Sequence, residues 1–151
     1  MAVLVIRREQ FAALQLDYDV RWYEGQLADL YPSFAAAPSG QRRQWIRQGI
    51  QRALAAGLSR PDFYQFLCFE HTFFPGCLQD PAFEWARRIL AEPGKASAER
   101  IKKLRHETIR RLLDAEAREQ QEAQQQLAAQ AEAAQEEETE LQGTGLEDRA
   151  V

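Results

Sequence analysis

Residues 59–76 read SRPDFYQFLCFEHTFFPG, and this stretch decides the fold. Ser59, Pro61 and Asp62 form a helix start signal, because proline suits the first turn and an acid near the N-terminus favours the helix dipole. The segment that follows is apolar nearly all round and rich in aromatic residues: Phe63, Tyr64, Phe66, Phe69, Phe73 and Phe74. A helix that is apolar on every side is a buried one, so the sequence predicts a central core helix that ends before Pro75.

Two helices are predicted before this segment. The first runs from about Arg8 to Tyr31, where apolar residues recur at three- and four-residue spacing until a proline ends the helix. A loop is predicted over residues 32–40, with Ser39 as the cap of the next helix. That helix is amphipathic and stops at Gly57, which suits a C-terminal position.

Two further helices follow the aromatic segment. Asp80 and Pro81 start a short one, and Ser97 starts the last. No strand-like alternation is longer than Val3 to Ile6. The sequence therefore predicts an all-α fold, a compact bundle of about five helices whose last helix continues into a long, acidic, partly frayed C-terminal helix.

The composition changes after Leu113. We predict a helical bundle domain over residues 1–113, an acidic extension rich in Ala, Gln and Glu over 114–142, and a disordered tail over 143–151. One heptad position carries Leu113, Leu127 and Leu141, but the complementary position carries almost no large apolar side chain. A stable coiled coil needs both positions apolar, so a solvated single helix is favoured over a paired one.

The net charge also differs between the regions before and after Leu113. Residues 1–113 contain 17 Arg or Lys against 12 Asp or Glu, a balance of +5, whereas residues 114–151 contain 2 against 11, a balance of −9. Basic residues crowd the start of the last helix at Arg100, Lys102, Lys103, Arg105, Arg110 and Arg111. Nucleic acid is nevertheless disfavoured as a partner, because the acidic segment would repel it. A solvated surface or an acidic protein partner explains the cluster better.

His71, Cys68 and Cys77 are the residues that a catalytic hypothesis would use first. A nucleophilic cysteine needs an electropositive setting, whereas these thiols lie among phenylalanines. Structural zinc needs four ligands, and these three residues match no standard spacing. Structural core residues are the favoured interpretation, with a three-ligand metal site around His71 as the alternative. No metal or cofactor is predicted.

Paired carboxylates are the other catalytic candidates. Asp17 lies beside Asp19, and Asp80 lies near Glu84, but neither pair has a companion nucleophile or base at a readable spacing. Asp80 is interpreted as a helix cap. The sequence contains neither a phosphate-binding glycine loop nor a dinucleotide fingerprint. We therefore predict that the protein is not an enzyme.

Aromatic residues exceed what one small bundle normally buries. Large aromatic side chains with arginines nearby are typical of the residues that anchor protein interfaces. The candidate protein-binding residues are accordingly Trp22, Tyr23, Trp45, Trp85, Arg43 and Arg47. No segment approaches the roughly 20 apolar residues that span a bilayer, and the N-terminus does not follow the pattern of a signal peptide. A cytoplasmic protein without membrane association is predicted.

Several short motifs carry a resemblance to a known family. They are IRREQF at residues 6–11, RQGIQRA at 47–53, Gly57-Leu58, Asp80-Pro81, Trp85-Ala86 and Ile89-Leu90. Together they resemble the small helical proteins encoded beside spike-tip (PAAR or VgrG) and effector genes in type VI secretion clusters of Gram-negative bacteria. The resemblance covers about residues 6–104, and the acidic extension and the phenylalanine-rich helix depart from it.

This resemblance implies an accessory role rather than a reaction. The expected function is that of a co-chaperone or adaptor, whose partner is an effector or its loading chaperone. An immunity protein that occludes a cognate toxin is the alternative, and a metal-dependent enzyme around His71 is the remote one. The sequence does not indicate an oligomeric state.

Overall fold

The computed structural model describes residues 7–147, with side chains through residue 144, and over that range the chain is all-α without a strand. Its six helices are α1 (Arg8–Leu30), α2 (Pro32–Ala35), α3 (Ser39–Ala55), α4 (Phe63–Thr72), α5 (Glu84–Leu90) and α6 (Ser97–Glu147). A 3₁₀ turn at Arg60–Asp62 precedes α4, and two more, at Cys77–Gln79 and Pro81–Phe83, precede α5. The predicted all-α fold is confirmed. The brief alternation at Val3 to Ile6 lies outside the described residues.

Two compact units can be distinguished by their internal contacts. The first comprises Met1–Thr108 and the second Ile109–Val151. The boundary predicted after Leu113 lies five residues further along the chain. No helix among residues 7–147 is both long enough and apolar enough to cross a bilayer.

Helix α4 lies at the centre of the first unit, as its aromatic content predicts. Phe66 is fully buried, and Phe63, Leu67 and Phe69 are nearly so. The core around them draws side chains from each helix of this unit, among them Leu27, Phe34, Ile46, Ile50, Ala86, Leu90, Ile101 and Leu104. Burial of this apolar area is the main stabilisation of the unit.

The segment predicted as a loop over residues 32–40 contains a helix. Pro32–Ala35 forms the one-turn helix α2, which buries Phe34 almost completely. Proline at the first helical position is already preset for the turn, and a buried phenylalanine anchors it. The loop prediction was wrong here because a single turn is too short to show a periodic pattern.

Helix starts use their polar residues in different ways. The Asp80 carboxylate accepts a hydrogen bond from the Ala82 amide at 2.9 Å, so the cap predicted at this position is confirmed. Ser39 is instead the first residue of α3, and its hydroxyl donates to Glu24 rather than capping the helix. The Ser97 hydroxyl accepts from the Ser59 amide at 2.8 Å and donates to Asp62, which joins the start of α6 to the turn before α4.

One buried carboxylate joins α3 to α4. Glu70 is 2% exposed and accepts two hydrogen bonds from Arg52, at 2.7 and 3.1 Å, and a third from the Gly76 amide at 2.7 Å. A buried carboxylate is stable only when its oxygens are satisfied in this way. The residue beside His71 is therefore a structural acceptor.

The second unit is the remainder of α6. Every side chain from Ile109 to Thr144 is exposed, including Leu113, Leu127 and Leu141. The helix continues to Glu147, six residues beyond the end expected near Leu141, and so includes part of the segment predicted to be disordered. The Thr144 hydroxyl donates to the carbonyl of Glu140, and one glycine lowers helix stability without ending a helix. Residues 148–151 lie outside the described range.

Candidate protein-binding site

Helix α1 carries two apolar stripes, and only one of them is buried. Val20, Tyr23 and Leu27 face the core. The second stripe consists of Phe11, Leu14, Tyr18 and Trp22, which are 57%, 58%, 66% and 46% exposed. These four residues recur at spacings of three and four, so they form one continuous face of the helix. We call this set the exposed α1 face.

The exposed α1 face leads into a cleft at its C-terminal end. This aromatic cleft has a volume of about 460 Å³. It lies between α1 and the turn that precedes α4, and its lining residues are Tyr18, Asp19, Trp22, Tyr23, Arg60, Pro61 and Tyr64. Tyr18 and Trp22 belong both to the cleft and to the exposed α1 face. An apolar surface therefore continues from Phe11 into a concave site.

Three rings organise the aromatic cleft. The rings of Tyr23 and Tyr64 stack with centroids 6.1 Å apart and planes inclined by 14°. Trp22 stands across both, at 75° to Tyr23 and 70° to Tyr64. Edge-to-face and offset arrangements of this kind stabilise aromatic clusters beyond their burial. The rings are thus held in place before any ligand arrives.

The charged residues of the aromatic cleft neutralise each other. Arg60 donates to the two carboxylate oxygens of Asp19, at 2.8 and 2.7 Å. Asp19 is nearly buried, while half of the Arg60 side chain is exposed. A bidentate pair fixes the geometry of both groups. The pair therefore joins α1 to the turn before α4 and leaves the cleft without net charge.

Two tyrosines of the aromatic cleft, Tyr23 and Tyr64, have raised pKa values. Burial raises the pKa of Tyr64 to about 12, and the neighbouring Cys68 contributes in the same direction. Burial also raises the pKa of Tyr23, followed by the effect of Asp19. At neutral pH both groups are hydroxyls that can donate a hydrogen bond. The site therefore offers apolar ring faces and neutral polar edges.

Two of the predicted aromatic candidates lie elsewhere and are partly buried. Trp45 packs near Phe34 and His71, with ring centroids 6.2 and 6.4 Å away. Trp85 packs against the aromatic residues of the core, including Phe69 at 6.2 Å. The structure therefore brings Trp22 and Tyr23 together in one site and places Trp45 and Trp85 outside it.

The two predicted arginines form ion pairs with α1. Arg43 contacts Glu24 at 2.8 Å, and Arg47 contacts Asp17 at 2.6 Å. Burial raises the pKa of the Glu24 carboxyl, but Arg43 and, less strongly, the neighbouring Arg42 outweigh it and hold that pKa below its usual range. These contacts connect α3 to α1 on the surface of the first unit. Since their charge is compensated within the chain, Arg43 and Arg47 contribute less to a partner than their exposure suggests.

His71 and the cysteines lie in core-like surroundings. The His71 ring lies near the rings of Tyr31, Phe34 and Trp45, the nearest at 4.9 Å, and burial lowers its pKa. Burial raises the pKa of Cys68 and raises that of Cys77 to about 11. Protonated thiols are poor nucleophiles and poor metal ligands. Among residues 7–147, no group of three or more potential ligand residues could hold a metal ion.

The basic cluster on α6 has a structural member. Arg100 donates to the carbonyls of Ala56, Gly57 and Leu90, at 3.3, 2.9 and 2.6 Å. These are carbonyls at the C-terminal ends of α3 and α5, where a cation is favoured by the helix dipole. Part of the positive charge of α6 therefore serves the fold rather than a ligand.

Compared with protein families, curated proteins and solved structures, the chain matches none. The resemblance to type VI accessory proteins therefore remains a prediction from its own motifs. The site residues that sequence reasoning did not assign to binding are Phe11, Leu14, Tyr18, Asp19, Arg60, Pro61 and Tyr64. One signal could have found the first three: α1 has more apolar positions than a single buried stripe can use.

Proposed function

We propose that this protein is a non-enzymatic, cytoplasmic accessory factor that binds another protein through the exposed α1 face and the aromatic cleft. On the quoted family resemblance, the partner is a type VI secretion effector or its loading chaperone, and the role is that of a co-chaperone or adaptor.

The exposure of four large apolar side chains on one helix carries this proposal. Phe11, Leu14, Tyr18 and Trp22 leave apolar area in water, and covering such area is favourable by roughly 25 cal/mol per Å². Contiguous apolar surface of this kind marks interaction sites more often than isolated exposed residues do. Trp and Tyr are also the side chains that most often dominate binding energy in protein interfaces.

The chemistry of the catalytic candidates supports a binding role. Burial keeps the thiols of Cys68 and Cys77 protonated and His71 neutral. Asp17 and Asp19 pair with different arginines on different elements, so they do not form a shared acid–base pair. Each of these groups is thus partly buried or paired within the chain.

Affinity purification from a host that carries the gene tests the proposal. The full-length tagged chain is compared with the Phe11→Ser/Leu14→Ser double variant, whose exposed positions allow the fold to persist. We expect an effector or its loading chaperone to co-purify with the wild type and to be lost with the variant, while circular dichroism shows equal helicity. Capture of the toxic domain of a toxin would instead indicate an immunity role. Equal capture of the partner by the wild type and the double variant would exclude the exposed α1 face as the binding surface.

A further inference from the structure

The residue types of the aromatic cleft point to a particular kind of ligand. Five of its seven lining residues are ring-bearing: Tyr18, Trp22, Tyr23, Pro61 and Tyr64. The remaining two, Asp19 and Arg60, neutralise each other. Charge complementarity therefore favours a neutral segment over an acidic or a basic one.

The arrangement of the rings favours a narrow ligand. Tyr23 is nearly buried and stacks with the partly buried Tyr64, so these two rings form the floor. The half-exposed Trp22 stands across both rings and forms a wall. An α-helix with its side chains is about 10–12 Å across. An extended chain is narrower and can place one residue at a time in the corner between the Tyr23–Tyr64 floor and the Trp22 wall. Flat proline rings pack well on aromatic faces of this kind.

The polar edges of the cleft offer hydrogen-bond donors to a ligand. Within residues 7–147, the indole N–H of Trp22 and the hydroxyl of Tyr18 have no hydrogen-bond partner. A helical segment has already used its backbone carbonyls internally. A polyproline II segment has no internal hydrogen bonds, so its carbonyls remain available as acceptors. Donors on aromatic side chains thus match an extended, proline-containing backbone.

We propose that the aromatic cleft docks a proline-containing segment of the partner protein in the polyproline II conformation. This inference rests on the proposed function and names the part of the partner that the cleft recognises. A polyproline II segment is already extended before binding, so it loses little conformational entropy. The remainder of the exposed α1 face, from Phe11 to Leu14, contacts other parts of the partner.

Nuclear magnetic resonance of the ¹⁵N-labelled full-length chain tests this inference. The probe is an acetylated, amidated proline peptide of about ten residues, and the control is an alanine-rich peptide of about 20 residues, because shorter peptides are only marginally helical in water. The three indole N–H resonances serve as reporters, because Trp45 and Trp85 lie outside the cleft. We expect the proline peptide to shift the Trp22 resonance saturably and to leave the other two in place.

Two variants separate the cleft from the rest of the exposed α1 face. Tyr18→Ala should lower the affinity for the proline peptide by about tenfold or more, whereas Phe11→Ala should change that affinity by less than about twofold. Phe11 does not line the cleft, so it is the matched control. Both side chains are mostly exposed, so both variants should keep the fold.

Several outcomes would overturn the inference. The Trp22 resonance could fail to respond to the proline peptide, or Tyr18→Ala could bind it as well as the wild type does. The helical peptide could also bind with equal affinity, which would assign the cleft to a helix. If any of these occurs while partner capture still depends on Phe11 and Leu14, the extended segment is excluded and the proposed function stands. If the proline peptide binds but no capture depends on that face, the proposed function fails instead.

Discussion

At the scale of single residues, two helical glycines have opposite surroundings. A Cβ built on Gly49 would lie 2.4 Å from the Leu67 Cδ2 atom and 3.1 Å from the Glu70 carboxylate, whereas one built on Gly25 would meet no atom within 4 Å. Leu67 is almost fully buried and cannot move aside freely. Gly49 is therefore required where α3 approaches α4, and Gly25 is not required by anything in the described chain.

These surroundings give matched stability predictions. Gly49→Ala should lower the free energy of unfolding by about 1–2 kcal/mol, because overpacking against Leu67 outweighs the better helix propensity of alanine. Gly25→Ala should raise it by about 0.5–1 kcal/mol, because only the propensity changes. Urea denaturation followed by circular dichroism measures both. A Gly49→Ala protein as stable as the wild type would show that α3 and α4 are less closely packed than described.

Residue pairs show where sequence reasoning reaches its limit. Asp80 was recognised as a cap because its partner amide is two residues away. Asp17 and Asp19 appear as one carboxylate pair in sequence, but they pair with Arg47 and Arg60, which are 30 and 41 residues distant. Only local partners can be inferred from spacing. Long-range partners depend on how the helices pack.

At the scale of elements, helix existence was predictable and the choice of buried face was not. Prolines and capping residues predicted α1, α3, α4, α5 and the start of α6. On α1, however, Tyr18 and Trp22 recur with the same helical spacing as Tyr23 and Leu27. Periodicity treats both stripes alike, so tertiary contacts decide which one is buried. The candidate site depends on that decision, and for this reason the sequence supplied only Trp22 and Tyr23 of it.

Helix α6 gives the element-scale prediction. A chain that ends at Leu113 keeps all of the first unit and loses most of the exposed acidic helix. We expect it to fold and to retain most of its affinity for the captured partner, because affinity is concentrated in a few buried aromatic contacts. The salt dependence of binding should change more than the affinity near physiological salt, because exposed charge acts mainly on association.

Circular dichroism and calorimetry at several salt concentrations distinguish the outcomes. Loss of binding in a truncated chain that remains folded would make α6 the recognition element. Leu113, Leu127 and Leu141 would then form a helix-pairing stripe, although the complementary heptad position is not apolar.

At the scale of the whole molecule, apolar exposure has two different characters. On α1 three of the four side chains of the exposed face are aromatic, the four are contiguous, and they adjoin a concave cleft. On the second unit the exposed apolar side chains are all aliphatic: Ile109, Leu112 and Leu113 lie at its start, and Leu127 and Leu141 stand fourteen residues apart among Ala, Gln and Glu. Trp and Tyr most often dominate binding energy in protein interfaces, and the aromatic surface adjoins a cleft, so we assign docking to the first unit.

One pair of leucine variants distinguishes docking on the exposed α1 face from docking elsewhere on the protein. Leu14 and Leu127 are exposed to a similar extent, 58% and 65%, and neither is in the core. Isothermal titration calorimetry with the purified partner should show Leu14→Ser weakening binding by about tenfold or more, and Leu127→Ser changing it by less than about twofold. Unchanged affinity in a folded Leu14→Ser protein, or an equal loss in Leu127→Ser, would contradict docking through the exposed α1 face.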